Sequence, residues 1–432
     1  MDAKSPAPLI PAALLVLCLA VAAAGVTWQA WDMFGPSRRP MLQGWDDSFY
    51  YFWLPSVVID HDLDFSNQLA HSGTIQVRAR DEGLAQPRTA TGLLPNKYPP
   101  GWALGSLPFF LAAHATAPPG STGFEPRYLL AVWFGQLLYA VAGLWFAIKI
   151  VARYFPLRTT TIAVLAGWLA SPLVYYQSAR LSMSHSQVFA LATLAAWLAL
   201  RILDGDGRSR MWALLGFCGA LLVVTRNVAL VYLALPAFAA ATKLRSVKSA
   251  AWLAAGAAGP LAVQLAAWKI LYGSWLVYSY GGERFDFAHL HVGDVLFSAR
   301  HGWFYWHPLL LVGIVAFVFW AWRCAEGRAW LFSLAAIVGL NAAWPTWWLG
   351  SSFGHRGFEA ATLFAMIGLA ASFEAARARP LRRRALATVV ALAIGWNLAL
   401  FALFLTQRIP REAAVTYRET GRALAGWLGG GR

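Results

Sequence analysis

Long apolar runs separated by short clusters of charge constrain this chain more than any other feature. From Leu9 to Leu405 it alternates between hydrophobic segments, many of membrane length, and polar connections. Backbone in hydrocarbon must satisfy its hydrogen bonds internally, so such runs are read as helices crossing a bilayer. With 59% hydrophobic and 13% charged residues among 432, the composition is that of a polytopic membrane protein and excludes a soluble domain. The net charge of +15 lies mainly between apolar runs, where cations orient helices and meet lipid head groups, so membrane lipids and not nucleic acid are the expected partners. Cys18, Cys218 and Cys324 lie in or beside apolar segments without paired spacing, which indicates neither a disulfide framework nor a thiolate metal site.

The first span is expected from Leu9 to about Phe34, retained rather than cleaved. A long polar loop, residues 35–98, follows, and aromatic–charged patches such as Phe49 to Ile59 suggest short helices lying in the membrane interface. Gly101 to Ala115, bracketed by Pro99-Pro100 and Pro118-Pro119, is too short to cross about 30 Å of hydrocarbon and reads as re-entrant or interfacial. Later spans are expected near Tyr128–Val151, Thr160–Gln177, Val188–Leu203, Trp212–Val224, Val228–Ala241, Trp252–Leu271, Trp303–Trp322, Trp330–Trp347, Phe358–Phe373 and Leu386–Leu405. Residues 212–241 fit either one long helix or two short ones turning at Arg226-Asn227, and the cost of a charge at mid-bilayer favours the turn. About eleven spans with the N-terminus inside then place Lys149, Arg153 and Arg158; Arg201, Arg208 and Arg210; Lys243, Arg245 and Lys248; Arg323 and Arg328; and Arg377, Arg379 and Arg382 to Arg384 on one side, as the positive-inside rule requires. Residues 1–405 form one all-α membrane domain in this reading, and residues 406–432 a short, weakly amphipathic tail.

The opposite side gathers polar groups: Asp46-Asp47 among aromatic rings; the turn from Asn96 to Gly101 with Lys97 and Tyr98; Ser178 to Gln187 with Arg180 and His185; Arg226; Glu283 and Arg284; His301 and His307; and His355-Arg356. Carboxylates beside cations suit transfer of a group from a phosphate leaving group: the acid takes a proton from an acceptor hydroxyl while Lys and Arg stabilise the phosphate charge. Each group also has a plainer reading. The acids suit an interfacial loop, Lys97 before two prolines suits a snorkelling side chain at a helix start, and Arg226 and Arg356 suit pairs with loop acids or lipid phosphates. The histidines read as hydrogen-bonding groups rather than metal ligands. Asp60-His61-Asp62-Leu63-Asp64 offers donors for a divalent cation, but alternating acids are ordinarily solvated, so a divalent metal is the lesser reading and the sequence calls for no certain cofactor.

The order of these motifs resembles the GT-C superfamily of membrane glycosyltransferases, in the branch containing protein O-mannosyltransferases and the lipid A aminoarabinose transferase. Asp46-Asp47-Ser48-Phe49-Tyr50 is similar to its Asp-Glu-x-x-Tyr element, Lys97-Tyr98-Pro99-Pro100-Gly101 to its Lys-Pro-Pro turn, Gly302 to Pro308 to its Gly-Leu-Phe-x-Trp-x-Pro turn, and Phe353-Gly354-His355-Arg356 to its Phe-Gly-x-Arg element. The resemblance implies a GT-C-like fold and an inverting transfer of a sugar from a polyprenyl-phosphate donor to a glycan or lipid acceptor, at the outer face of a bacterial-type inner membrane. It makes Asp46 the general base, Asp47 the neighbour that positions acceptor or base, and Lys97 and Arg356 the grips on phosphate; Tyr50, Tyr98, His185, Glu283, Arg284 and His355, from these motifs or from the polar groups of the same face, are candidate substrate contacts. Phe49 stands where the aminoarabinose-type pattern has an Arg, which shifts part of the phosphate grip to cations such as Arg226, and Asn96 stands where it has a Glu. The rival class is a lipid-linked sugar flippase, which would line its pathway with ionisable groups at mid-membrane, whereas the deep spans here are nearly free of charge.

Overall fold

The structure, a computed structural model, describes residues 19–20, 22–28, 31, 42, 44–71 and 77–429. Most of the expected first span, with Arg38 and Arg39, falls outside the described residues, although residues 22–28 are helical. Helices and connecting turns make up the described residues, and no strand occurs among them. Among the described residues four helices are long and apolar enough to cross a membrane: Pro126–Val151, His185–Leu203, Val247–Tyr272 and Pro380–Leu405. Shorter apolar helices span Leu157–Leu169, Ser209–Thr225, Asn227–Lys243, Pro308–Ala321 and Thr362–Ala376. The described residues divide into two compact units, one within Cys18–Gly143 and Tyr176–Gly282, the other within Leu144–Tyr175 and Glu283–Arg432.

In the first unit the acidic, aromatic stretch of the polar loop forms a helix, Trp45–Pro55, extended by a wider turn over Ser56–Asp60. Its rings are not spread in a membrane interface, as the sequence suggested. Phe49, Tyr50, Tyr51, Phe52 and Trp53 are all 5% exposed or less and belong to a core shared with Phe65, Tyr98, Trp102, Phe110 and Phe124. Protein rather than lipid receives these rings because Gly101–His114 packs against the same helix. Fourteen residues long, that second helix reaches about 21 Å at about 1.5 Å per residue, short of a bilayer as expected. Ser209–Thr225 ends before Arg226, whose backbone is extended, and the chain resumes as a tight helix over Asn227–Leu233 and then Ala234–Lys243. The expected turn at Arg226-Asn227 is therefore present. Ser209–Thr225 also packs closely on Val247–Tyr272, where Gly216 and Gly256 each face a carbonyl of the other helix that a Cβ would overlap.

In the second unit two expected spans are broken. Thr160–Gln177 appears as Leu157–Leu169 and Leu173–Tyr176, separated at Ser171-Pro172, and Trp303–Trp322 as Trp303–Trp306 and Pro308–Ala321, separated at His307. A proline disfavours helical geometry in the residue before it, and both breaks precede one. Pro308–Ala321 packs along Thr362–Ala376 through Gly313 and Gly368. The Thr159 hydroxyl donates to Glu374, Arg153 lies 4.0 Å from Glu326, and the rings of Tyr154 and Trp320 are 4.8 Å apart. These contacts bring the basic connections around Arg153, Arg323 and Arg377 to one end of this unit. The tail forms a helix, Tyr417–Leu428, capped reciprocally by Thr416 and Glu419, and Tyr417 stacks on Tyr305 at 4.2 Å and donates to its carbonyl at 2.7 Å.

Candidate active site

Asp46 and Asp47 occupy the first turn of Trp45–Pro55, where unpaired backbone N–H groups and the helix dipole favour negative charge. The two carboxyls have separate surroundings. Asp47 is fully buried: its Oδ1 accepts from the N–H groups of Gly44 at 2.9 Å and Ser48 at 3.1 Å, and its Oδ2 meets Arg180 at 2.8 Å and the Ser182 hydroxyl at 3.1 Å. It caps a helix and closes a buried ion pair. Asp46 is half-buried, and its Oδ1 accepts from the Tyr98 hydroxyl.

Tyr98 is held from several directions. Its N–H donates to the Asn96 side chain at 3.0 Å, Asn96 Nδ2 donates to the Phe49 carbonyl at 2.9 Å, the Trp53 indole donates to the Tyr98 carbonyl at 3.3 Å, and the Tyr50 ring lies edge-on at 5.0 Å. Asn96, in the place of an expected carboxylate, thus ties the turn to the acidic helix. Burial, with Asp46 beside it, pushes the Tyr98 phenol well above its usual pKa, so it remains a proton donor to Asp46. Next to it the half-buried Lys97 places its ammonium 5.6 Å from the Tyr98 ring centre and 5.3 Å from that of Tyr280. One tyrosine therefore bonds the half-buried carboxylate through its hydroxyl and faces the lysine with its ring.

Behind this turn lies a buried amide network. Gln187 Nε2 donates to the Gly101 carbonyl and the Thr225 hydroxyl, each at 2.8 Å, and Gln136 Nε2 donates to Ser106 at 2.9 Å and Gln187 Oε1 at 3.3 Å. Gly101 follows Lys97-Tyr98-Pro99-Pro100 and Thr225 precedes Arg226, so Gln187 links the two segments that carry the two cations. Gln187→Leu is expected to destabilise the protein by about 1–3 kcal/mol by leaving buried acceptors unpaired. Thermal unfolding in detergent reads this, and an unchanged midpoint refutes the coupling. His185, 1% exposed, packs its ring 4.1 Å from that of Tyr176.

The remaining candidates belong to the second unit. Glu283 and Arg284 are exposed, His355 is buried with its ring 4.7 Å from Phe358, and the adjacent Arg356 is half-buried. Gly354, at φ 60°, turns the chain beside His307, where a Cβ would overlap the imidazole. His301 donates through Nδ1–H to the Trp348 carbonyl at 2.8 Å, and burial lowers its pKa to about 4, with Arg300 and Arg356 acting in the same direction. No group of three or more metal-ligating side chains converges among the described residues. The acids of residues 60–64 instead bind their own loop: Asp60 accepts from Gln68, Asp62 from Ser56, and Asp64 from Ser66 and Arg88.

Arg180, grouped with the polar face but given no role by the sequence, is the ion-pair partner of Asp47. Ser182, Tyr280, Gln136 and Gln187 were not singled out. Gln136 carried the one readable signal, an amide inside an otherwise apolar span.

No protein-family model matches the chain, and no curated protein matches it. Among solved structures it is similar to ArnT from Cupriavidus metallidurans in the apo state, with a TM-score of 0.51, 15% identity, and coverage of 91% of this chain and 76% of that one. The likeness is one of fold. The described residues form an all-helical, ArnT-like fold with apolar helices suited to a multi-pass membrane protein.

Proposed function

We propose that this protein is an inverting glycosyltransferase that moves a sugar from a polyprenyl-phosphate-linked donor to a hydroxyl of a glycan or lipid of the cell envelope, at the outer face of the inner membrane. The observation that carries the reading is the pair of groups on Tyr98: a half-buried carboxylate, Asp46, on its hydroxyl and an ammonium, Lys97, over its ring. The acceptor oxygen attacks the anomeric carbon opposite the phosphate. The bond from that carbon to the phosphate oxygen breaks, polyprenyl phosphate leaves with the electron pair, and Asp46 takes the hydroxyl proton. Lys97, with Arg226 as a second grip, stabilises the leaving phosphate, and Asp47 holds the turn that presents Asp46. The roles of Arg356, His355 and Tyr50 rest on the resemblance of their motifs to those of GT-C enzymes, those of His185, Glu283 and Arg284 on their place among the polar groups of the outer face in the sequence reading, and ArnT as a structural neighbour supports the same class.

Mass spectrometry of extracted envelope lipids and glycans from cells with and without the gene tests the reading. A species lacking one hexose- or pentose-sized mass is expected in the deletion, together with accumulation of the sugar-loaded polyprenyl phosphate. Identical profiles overturn the proposal.

A further inference from the structure

At the basic end of the second unit, Arg377, Arg379, Arg382, Arg383 and Arg384 are all exposed around the turn between Thr362–Ala376 and Pro380–Leu405. Some cations on other connections find acids: Arg201 and Arg208 share Asp206, and Arg153 faces Glu326. Arg377 likewise lies 3.6 Å from Glu374. The other four have no acidic partner among the described residues. Arg382 to Arg384 also stand in the first turns of a 26-residue helix, where the dipole is positive and cations are disfavoured. Such crowding is relieved by an anion.

The same helix indicates which anion. Leu381 is 80% exposed among the arginines, and Val389 and Leu392, farther along, are 45% and 69% exposed. An apolar surface ending in unpaired arginines matches a lipid, with acyl chains along the helix and a phosphate at its end. We propose that Arg379, Arg382, Arg383 and Arg384 form a binding surface for anionic phospholipid head groups.

The full chain, reconstituted in nanodiscs containing phosphatidylcholine and phosphatidylglycerol and then released for native mass spectrometry, should retain phosphatidylglycerol several-fold above its share of the mixture. The enrichment should fall as ionic strength rises before reconstitution is completed. Arg379→Gln/Arg382→Gln/Arg383→Gln/Arg384→Gln should bring retention down to the bulk ratio. Because arginines also orient helices, the same four positions changed to Lys provide a control that keeps charge and insertion and should keep the enrichment. Bulk-ratio retention by the wild type, salt-insensitive enrichment, or enrichment that survives the glutamine changes each overturns the proposal. The wild-type salt series decides the matter even if the glutamine variant fails to insert.

Discussion

Asp46→Asn is expected to reduce transfer by at least about a hundredfold while leaving the protein folded and able to bind donor. Positioned general bases contribute on the order of 10²- to 10⁴-fold, and this substitution removes the base while keeping the shape of the side chain. Asn still accepts a hydrogen bond from Tyr98, so the turn that carries Lys97 keeps its anchor. The loss should fall on kcat, with donor affinity nearly unchanged. Purified wild type and variant, compared by turnover and by binding of polyprenyl-phosphate donor, give the answer. Turnover within a few-fold of wild type removes Asp46 from the mechanism. Lost activity together with lost donor binding gives this side chain a role in holding substrate instead.

The second large effect is expected one residue away, and it is on stability. Arg180→Ala leaves Asp47 buried with its ionic partner gone. Breaking a buried pair from one side costs about 3–5 kcal/mol, because the remaining charge has no compensation. The backbone N–H groups and Ser182 still solvate Asp47, which favours the lower part of that range. Adding Asp47→Asn to Arg180→Ala should restore a substantial part of the loss, since the stranded charge is then gone. Chemical or thermal denaturation of the single and double variants measures the coupling. A harmless Arg180→Ala, or a double variant worse than the single by the full cost of each, would show that the pair does not hold this turn. Neighbouring acids thus give opposite phenotypes: Asp46 changes turnover, and the Asp47 pair changes folding.

How much was readable in advance varied with how local the cause was. The break at Arg226-Asn227 and the short helix after Pro99-Pro100 were both visible, because a charge in an apolar run and a proline pair act on their own neighbourhood. Ser171-Pro172 and His307-Pro308 carried the same kind of signal, yet their hydrophobic surroundings read as continuous spans. The aromatic rings of Phe49 to Trp53 misled in another way. Aromatic residues near a membrane suit an interface or a packed core equally well, and composition does not say which surface they meet.

The sequence by itself determined a helical membrane protein, the approximate places of most helices, and the order of the acidic, lysine and arginine motifs. Length, apolarity and proline placement are properties of short windows, and short windows suffice for such inferences. Only the tertiary structure decided which of two adjacent carboxylates is buried and which is presented. Asp47 takes its burial from Ser182, 135 residues along the chain, and from Arg180 beside it, while Asp46 takes its orientation from Tyr98, 52 residues away. Desolvation and hydrogen bonding depend on what arrives from distant segments, and two neighbouring aspartates acquire different chemistry only when those segments pack.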